Sequence, residues 1–583
     1  MKQLTYILFF AMLIASSCNK DEVITTTSAP EITLDNESGI YTVKIGDELR
    51  ISPSYKYSEE AIYSWRSDGN EISNSPALIY SNNTPGTYYI TITVTTDSGE
   101  ASEEIRIEVM EREIPYASVA GSNIPILMGI GSSKIFVATV AENSLETTYS
   151  WNLDGVWVSD TLTYLFKAKE LGNHEVQFIA KNSDGADTVN FSITVCTPEE
   201  LPVSWYFAQK EYNTSAGRTI RIAPTEIINA EECTYEWKIE NRIVANATEA
   251  ELIFIAESEG IYQINVTATK ENKEGLLTLS ETLIVNVSET EGKYYRPMSE
   301  VSHSDWNKVY EYTPAPGQFI NETLTGGFNG SETSPEKAIE YAERRLKAGQ
   351  FVSLGGFGGY IVAGFDHSID NNDGYDFAIK GNSFSGSSEP GIVWVMQDEN
   401  GDGKPNDIWY ELKGCETGAE GTIQDYAVTY YKPVAPDMPV LWSDNLGNSG
   451  QIDYLSEYHK QEFYYPAWIQ TDSYTLYGTR LEARNYDKSG NGALWIQPEY
   501  EWGYADNFSP IDRLSSDSNS NAQQNSNHFD IANAIDYAGN PIELKYIDFV
   551  KVQCGVNAKS GWTGELSTEV FGFFDYSLFT PNS

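Results

Sequence analysis

The chain has 583 residues, a length that suggests several domains, and its 84 acidic residues outnumber its 38 basic residues to give a formal net charge of −46. A field of this sign repels nucleic acid and anionic membrane surfaces, so nucleic acid is excluded as a partner. Aromatic residues make up 13% of the chain, and their mixture with many Gly, Asn, Ser and Thr residues is typical of β-sandwiches with polar loops.

The N-terminus has the pattern of an export signal. Lys2 supplies a positive start, and the apolar run Leu4–Ala15 is shorter than the roughly 20 residues that cross a bilayer. Small residues then precede Cys18. This arrangement resembles a bacterial lipoprotein signal, which implies a signal peptide over 1–17 and a lipidated cysteine with a linker over 18–29. The membrane would then be contacted through the lipid anchor only, and an ordinary signal peptide with an incidental cysteine is the alternative.

A repeat follows. A Tyr-x-Trp motif recurs at equal spacing around Trp65, Trp151 and Trp237, and each motif precedes a Gly-led segment in which outward and inward residues alternate. An all-strand unit with one Trp in its middle strand is typical of an immunoglobulin-like sandwich. The sequence therefore predicts an all-β protein that begins with three tandem sandwiches, over 30–111, 112–198 and 199–290. They are interpreted either as binding modules or as spacers in which the three Trp residues form the cores.

These units resemble PKD-like domains, which carry such a Tyr-x-Trp strand followed by a Gly-x-Tyr strand. The usual trailing Asn-x-x-Gly motif is present in part, as Thr96–Gly99 and Asn182–Gly185. The third unit has Lys270–Lys273 at this position instead. The resemblance implies an immunoglobulin-like fold for each repeat.

A polar linker near Ser288–Lys293 precedes the last part of the chain. From 294 to 583 the sequence predicts one large β-rich, sandwich-type domain with a single short helix. Ser334 is a good N-cap and Pro335 fits the first helical position. The apolar stripe that follows consists of Ala338, Ile339, Ala342 and Leu346. Strands are predicted at, for example, Asp425–Tyr431 and Ile547–Val552.

The loop 398–407 is the sharpest candidate for a metal site. Oxygen-bearing side chains alternate along it around a glycine, and calcium takes about six to eight oxygen ligands. The candidate ligands are Asp398, Asn400, Asp402, Asn406, Asp407 and the carbonyl of Lys404. Trp409 stands where helical calcium loops have a bidentate glutamate, so a non-helical loop with a structural calcium is predicted. The alternative is a plain turn between strands.

A second acid-rich loop, Asp366–Asp376, precedes it and allows either a second cation near Asp370–Asp376 or a hairpin turn. Catalytic motifs are not recognised in the sequence: it has neither a Gly-x-Ser-x-Gly elbow nor a His-Glu-x-x-His motif. The histidines are scattered, and a lone histidine is usually a hydrogen-bonded structural residue. We therefore predict that the chain is not an enzyme.

Aromatic residues in Gly-, Pro- and Asn-rich stretches indicate a ligand instead. Flat aromatic faces beside polar loops suit a sugar ring or a corrin ring. The wider set includes Trp394, Trp409, Tyr410 and Trp442. The candidate ligand-binding residues are Tyr464, Tyr465, Trp468, Trp495, Tyr500, Trp502 and Tyr504. Core packing is the alternative for each of them.

Long motifs of the C-terminal part resemble the PKD-bearing cell-surface lipoproteins of Bacteroidetes, and in particular their surface-exposed cobalamin-binding branch. The motifs are Val309–Asn321, Ser353–Ile361, Phe365–Ile369, Asp376-Phe377, Gly381-Asn382, Glu389–Val393 and the aspartate loop that leads into Trp409–Leu412. The lysine-plus-acid tag Asn19–Glu22 is similar to one associated with surface transfer in that group, and a solvated linker is its alternative.

The resemblance implies a lipoprotein of the outer membrane that faces the extracellular side. It would capture cobalamin or a related corrinoid for an outer-membrane TonB-dependent transporter, with the corrinoid as ligand rather than cofactor. A calcium-dependent glycan-binding adhesin on the same scaffold is the alternative, and a polysaccharide hydrolase is a third possibility.

Overall fold

The structure, a computed structural model, describes residues 28–141, 144–230, 233–272, 275–289, 291–433, 435–514 and 526–578. The predicted signal peptide over 1–17 and Cys18 lie outside the described residues. In the described part of the chain, no helix is both long and apolar enough to cross a membrane. The chain divides into two compact units, one ending at Glu113 and the other beginning at Ile114.

The first sandwich is built around the five-stranded sheet β2-β9-β8-β5-β6, with the small sheets β1-β4 and β3-β7 opposite. Its strands are β1 Glu31–Thr33, β2 Ile40–Lys44, β3 Leu49–Ile51, β4 Ser54–Lys56, β5 Ile62–Ser67, β6 Asn70–Ser73, β7 Leu78–Tyr80, β8 Gly86–Thr96 and β9 Gly99–Met110.

The second sandwich, in the other compact unit, pairs the five-stranded sheet β11-β17-β16-β13-β14 with the three-stranded sheet β10-β12-β15. Its strands are β10 Ala117–Val119, β11 Ile126–Gly129, β12 Ser133–Val140, β13 Thr148–Leu153, β14 Val156–Ser159, β15 Thr163–Lys167, β16 Gly172–Lys181 and β17 Ala186–Cys196.

The third sandwich has the five-stranded sheet β19-β26-β25-β22-β23 and two small sheets, β18-β21 and β20-β24. Its strands are β18 Ser204–Tyr206, β19 Glu211–Ser215, β20 Thr219–Ile222, β21 Glu226–Ile228, β22 Thr234–Ile239, β23 Arg242–Ile243, β24 Leu252–Ile255, β25 Gly260–Asn272 and β26 Gly275–Ser288.

The three sandwiches share one topology, as the repeat predicts. In each five-stranded sheet, the strand that comes first in the chain pairs in parallel with the strand that comes last in the chain. The remaining neighbours are antiparallel. Trp65, Trp151 and Trp237 are fully buried at equivalent positions in the middle strand. Each indole nitrogen donates to a backbone carbonyl of its own sandwich at 2.8–2.9 Å. Each ring thus fills a core while its one polar group stays satisfied.

The C-terminal domain, residues 291–578, contributes the remaining strands. They are β27 Lys308–Thr313, β28 Val352–Ser353, β29 Tyr360–Asp370, β30 Phe377–Lys380, β31 Gly391–Met396, β32 Trp409–Leu412, β33 Ile423–Tyr431, β34 Val440–Asp444, β35 Ser449–Ile452, β36 Ser473–Arg480, β37 Tyr486–Asp487, β38 Trp495–Ile496, β39 Arg513–Leu514, β40 Ser526–Phe529, β41 Ala534–Ile535, β42 Tyr546–Cys554, β43 Glu569–Val570 and β44 Gly572–Asp575.

Three sheets organise this domain. A six-stranded antiparallel sheet has the order β27-β29-β42-β31-β32-β41, and two four-stranded sheets have the orders β39-β40-β30-β44 and β35-β34-β33-β36. The main core lies on one face of the six-stranded sheet, where Val393, Val550 and Val552 are fully buried. The sheets of this domain and the sandwiches before it confirm the predicted all-β fold.

The one α-helix in the described residues is α1, Pro335–Lys347. The Ser334 side chain accepts a hydrogen bond from the backbone N–H of Lys337, as an N-cap does, and Pro335 stands at the first turn. Ala338, Ala342 and Leu346 are buried against the main core. The helix and its cap are therefore as the sequence predicts.

The third sandwich packs tightly on the C-terminal domain within the second compact unit. Arg218 in the turn after β19 is 9% exposed. Its guanidinium donates to Glu399 Oε1 at 2.7 Å and to Gln397 Oε1 at 2.6 Å, and it lies 3.1 Å from Glu291 Oε1. Ser215 Oγ also donates to Glu399, at 2.6 Å. The contact is a buried polar network, so this sandwich is more than a spacer.

Candidate functional site

The second face of the six-stranded sheet, opposite the main core, carries an unusual row of side chains. The pairing register aligns Glu311, Val362, Lys551, Trp394 and Glu411 side by side across five neighbouring strands. Side chains that are directly paired lie on the same face of a sheet. The row therefore places a lysine and two glutamates among aromatic and aliphatic neighbours.

Lys551 is held over aromatic rings. Its Nζ lies 4.9 Å from the ring centroids of Trp394 and Trp409 and 6.0 Å from that of Tyr360. A cation above an indole face is attracted by the negative potential of the ring. Trp394 and Trp409 thus form an aromatic floor with an amine above it.

Burial perturbs the charges on this face. Desolvation lowers the pKa of Lys551 to about 8, although the negative charges of Glu311 and Glu411 oppose the shift. Desolvation also raises the pKa of Glu411 to about 7, against a hydrogen bond from Thr479 Oγ1 at 2.6 Å and the charge of Lys551. Perturbed groups that converge in a concave site are typical of functional sites.

A cleft opens over this floor between the C-terminal domain and the third sandwich. Its volume is about 500 Å³, within the range of about 300–1,000 Å³ for small-molecule sites. The C-terminal domain contributes Trp394, Ile408, Trp409, Tyr410, Glu411, Gln424, Asp425, Asn445, Tyr477, Ile535, Asp536 and Tyr537. The third sandwich contributes Tyr212, Thr219, Ile220, Arg221, Ala223, Pro224, Thr225 and Ile227.

Arg221 fixes the two walls of the cleft to each other. Its guanidinium donates to Glu251 Oε2 at 2.6 Å and lies 2.9 Å from Asp425 Oδ2. The guanidinium carbon is also 3.6 Å from the ring centroid of Tyr537. Because Arg221 and Glu251 belong to the sandwich while Asp425 and Tyr537 belong to the C-terminal domain, these contacts hold the cleft at a defined width.

Trp394, which lines the cleft, has a buried polar atom without a partner. Trp394 Nε1 is inaccessible and has no hydrogen-bond partner among the described residues. An orphan donor of this kind costs about 1–3 kcal/mol unless a ligand or a water molecule accepts from it. Because this nitrogen is inaccessible, a ligand in the cleft can accept from it only if the Trp394 side chain shifts.

The loop 398–407, predicted to hold calcium, connects β31 and β32 and is closed by its own backbone. Asp398 accepts from the N–H groups of Gly401 and Gly403 at 2.7 and 3.0 Å. Asn400 accepts from the Asp402 N–H, and Asp402 from the Lys404 N–H, both at 2.8 Å. The predicted oxygens therefore already have donors, and calcium at this loop stays a prediction.

The three further candidate ligands of this loop, Lys404, Asn406 and Asp407, also contact neighbouring groups. The Lys404 carbonyl accepts from the Asn406 N–H at 3.0 Å, and the Asn406 carbonyl accepts from Gln209 of the third sandwich at 3.1 Å. Asp407 Oδ2 accepts from the Glu399 N–H at 2.7 Å. Its Oδ1 is buried without a partner in the described part of the chain, and burial raises the pKa of Asp407 to about 7. The loop thus docks on the sandwich.

The structure does not bring the seven predicted ligand-binding aromatics together. Tyr464 and Tyr465 are 0% and 2% exposed in the core beside β33 to β36, and Tyr500 and Tyr504 are each 2% exposed in the main core. These four have no free face for a ligand, so their placement corrects the prediction. Their hydroxyl groups find partners inside the protein, such as the Glu482 carbonyl for Tyr500 at 2.7 Å.

The other three predicted aromatics are partly buried at separate places. Trp468 packs between the two cores, and Trp495 lies in β38, each with an indole nitrogen that has no partner among the described residues. Trp502 lines a small cavity of about 120 Å³ beside His528. None of the three lines the cleft described above.

The second acid-rich loop is a turn between β29 and β30. Asp376 is fully buried and accepts from the backbone N–H groups of Asn372 and Ile531 at 2.7 and 2.8 Å. His367 is 2% exposed between Asp366 and Asp575, at 2.6 and 2.7 Å. These contacts favour the turn over a second cation site and give His367 a structural role.

Comparisons with known proteins concern the sandwiches. The PKD-like domain family matches residues 29–96 and 203–270, in the first and third sandwiches. These parts of the chain are similar to PKD-like domains. A search of curated protein sequences finds no match.

Several solved structures are similar in fold. The I-band fragment I67–I69 from titin is 13% identical, covering 45% of this chain and 99% of that chain, with a TM-score of 0.22. The fibronectin(III)-like modules of Clostridium thermocellum CbhA are 17% identical, covering 29% and 95%, with a TM-score of 0.18. Three N-terminal domains of the bacteriophage RB49 outer capsid protein Hoc are 13% identical, covering 46% and 99%, with a TM-score of 0.19.

Proposed function

We propose that this chain is a surface-exposed lipoprotein that captures a ring-shaped organic ligand in the cleft between its third sandwich and its C-terminal domain. Cobalamin or a related corrinoid is the favoured ligand, and an outer-membrane TonB-dependent transporter is the recipient. Two of the chain's three sandwiches are similar to PKD-like domains, and such modules would hold the cleft away from the lipid anchor.

The aromatic floor of the cleft is the observation that carries this proposal. Trp394 and Trp409 both line the cleft, and Lys551 Nζ lies 4.9 Å from the centroid of each ring. Lys551 and Glu411 add groups that can donate to or accept from amides. A corrinoid has a large apolar face and a rim of amides, which matches this mixture.

The size of the cleft sets how a corrinoid would bind. A whole corrinoid is larger than the cleft of about 500 Å³, so one edge of the ring or the nucleotide tail would enter while the rest stays at the mouth. The ligand would keep its own lower base, because the Asp-x-His-x-x-Gly motif of enzymes that bind B12 with a protein histidine on cobalt is absent from the sequence.

A glycan is the second candidate, and a specific observation favours it. The cleft places Trp394 and Trp409 close to the carboxylates of Glu411, Asp425 and Asp536. Sugar rings stack their C–H faces on indoles and donate their hydroxyl groups to carboxylates. The volume of the cleft also suits a short sugar segment without an overhanging part.

Titration of the full chain separates the two candidates. We expect cyanocobalamin to bind one per chain, detected by calorimetry and by a change in the corrinoid absorbance spectrum. Trp394→Ala should weaken binding at least about tenfold, or roughly 1.4 kcal/mol. Trp157→Ala is the matched control, because Trp157 is 60% exposed on the second sandwich and should leave the affinity unchanged.

Two results would contradict the corrinoid assignment. One is no heat and no spectral change with cyanocobalamin while a panel of glycans produces heat that Trp394→Ala abolishes; this outcome would establish the glycan candidate. The other is corrinoid binding that Trp394→Ala leaves intact, which would place the site elsewhere in the chain.

The proposed anchor is tested separately. Cys18→Ala should release the chain from the membrane fraction, because a cysteine thiol is the attachment point of the acyl chains and several buried chains hold a protein firmly. Protease added to intact cells should degrade the wild-type chain if it faces outward. Equal membrane retention of the variant would refute the lipoprotein assignment.

A further inference from the structure

Three buried carboxyl groups meet in the C-terminal domain away from the cleft. They belong to Glu389 just before β31, Asp506 in the segment that pairs with Gly391, and Glu569 at the start of β43. One oxygen from each lies within 4.8 Å of the other two. Asp506 is 1% exposed, Glu569 is 3% exposed and Glu389 is partly buried.

The carboxylate of Asp506 is rigidly held. Its Oδ1 accepts from the N–H groups of Asn382 and Ser383, both at 2.8 Å, and its Oδ2 accepts from the N–H of Glu569 at 3.0 Å. Three backbone donors fix its orientation and favour its ionised form. The carboxylate therefore has a fixed position in the cluster.

Glu569 supplies an independent sign that a ligand is missing. Its Oε1 is buried and receives no hydrogen bond from any donor among the described residues. The Glu569 carboxyl is within hydrogen-bonding reach of the Glu389 carboxyl, and two carboxylates can make that contact only with a proton or a cation between them. A buried carboxylate oxygen of this kind is costly unless a proton or a cation compensates it.

Protein charges compensate the cluster only in part. Arg513 contributes one positive charge that acts on Asp506. Asp506 and Glu569 are buried, and three carboxyl groups this close repel one another when they are ionised. Two neutralising agents are available in water, protons shared between the carboxyls or a divalent cation.

We propose that Glu389, Asp506 and Glu569 hold a divalent cation of the hard, oxygen-seeking class, such as Ca²⁺, Mg²⁺ or Mn²⁺. Three carboxylate oxygens within one ion's reach are the donor set that such ions prefer, and partly buried Glu389 leaves an entry path. The ion joins the start of β31, the 505–506 segment and β43, which are far apart in the sequence. It is therefore a structural ion, distinct from the calcium predicted at the loop 398–407.

The test uses the full chain purified without chelator. Its metal content is measured by mass spectrometry, and its thermal unfolding is followed after chelation and after adding back Ca²⁺, Mg²⁺ or Mn²⁺ one at a time. We expect bound metal, a fall in Tm on chelation and recovery with at least one ion. Glu569→Gln, which preserves the shape of the side chain, should bind one equivalent of metal less than the wild-type chain. Its Tm should also change less on chelation and on adding back the ion.

Two further variants make the assignment specific. Asp402→Ala, in the loop 398–407, should keep the metal that Glu569→Gln loses. Glu389→Gln provides a second test at a partly exposed position if Glu569→Gln fails to fold. The proposal is overturned if the wild-type chain holds no metal and responds to none of the three ions. It is also overturned if Asp402→Ala loses the response while the two glutamine variants retain it.

Discussion

Arg218→Met should strongly destabilise the packing of the third sandwich on the C-terminal domain. Methionine keeps an unbranched apolar stem, so the change removes mainly the guanidinium. The Glu399 and Glu291 side chains are only 8% and 14% exposed. Without Arg218, Glu399 stays buried and loses its cation, while Glu291 keeps only the exposed Lys545, whose Nζ lies 3.7 Å from Glu291 Oε2.

The expected loss of stability follows from the burial of these carboxylates. Removing one partner of a buried ion pair costs about 3–5 kcal/mol, because the remaining charge is uncompensated. At about 1.4 kcal/mol per factor of ten, the unfolding constant should rise roughly a hundredfold to a few thousandfold. Arg242→Met is the matched control on the same sandwich, because Arg242 is exposed. This substitution should change the free energy of unfolding by no more than about 0.5 kcal/mol.

Urea denaturation of residues 114–583, followed by tryptophan fluorescence, measures the effect. A double-mutant cycle with Glu399→Gln then isolates the pair, with an expected coupling of about 0.5–3 kcal/mol. Adding Glu399→Gln to Arg218→Met should also recover part of the lost stability, because it removes the buried carboxylate charge that no longer has a cation. The reasoning is wrong if Arg218→Met costs no more than Arg242→Met, or if its cost is the same with and without Glu399→Gln.

Three further predictions concern the sandwich core and two titrating groups. Trp151→Ala should destabilise the second sandwich by about 3–5 kcal/mol in denaturant, whereas exposed Trp157→Ala should cost under about 0.5 kcal/mol; equal costs would contradict the core assignment. Burial raises the pKa of Glu411 from 4.5 to about 7, so the folded chain binds the extra proton and stability should fall as pH rises across this window. Glu411→Gln should remove this dependence of Tm on pH, and an unchanged dependence in the variant would show that Glu411 is not its source. The hydrogen bond to Asp575 raises the pKa of His367 above 6.5. The stabilisation from this ion pair should therefore be complete below pH 6.5 and should be lost as the pH rises through the pKa that His367 has in the folded chain. His367→Asn should flatten this decline, and a wild-type decline in the variant would count against the ion pair.

The sequence predicts the sandwiches and the helix well because their determinants are local. The Tyr-x-Trp motif and strict alternation define strands within each repeat, and Ser334 with Pro335 defines a helix start over a few residues. Local patterns of this kind need no knowledge of distant neighbours. The fold class could therefore be read from the chain alone.

The cleft could not be predicted because its parts come from distant segments. Arg218 meets Glu399 across 181 positions of sequence, and the row through Lys551 depends on pairing between strands that are not consecutive. Trp394 and Trp409 belong to the aromatic set seen in the sequence, yet nothing local separates them from Tyr464 or Tyr500. Hydroxyl groups that find internal acceptors let the latter two enter the core.

Lys551 lies beside the cleft, against two of the aromatic residues that line it. Its amine covers the aromatic faces of Trp394 and Trp409, the place that a cationic guest would otherwise take. A chain with a net charge of −46 gathers cations at its surface, and the amine turns them away from the floor of the cleft. A neutral guest meets no such repulsion, so this one side chain favours neutral ligands over cationic ones.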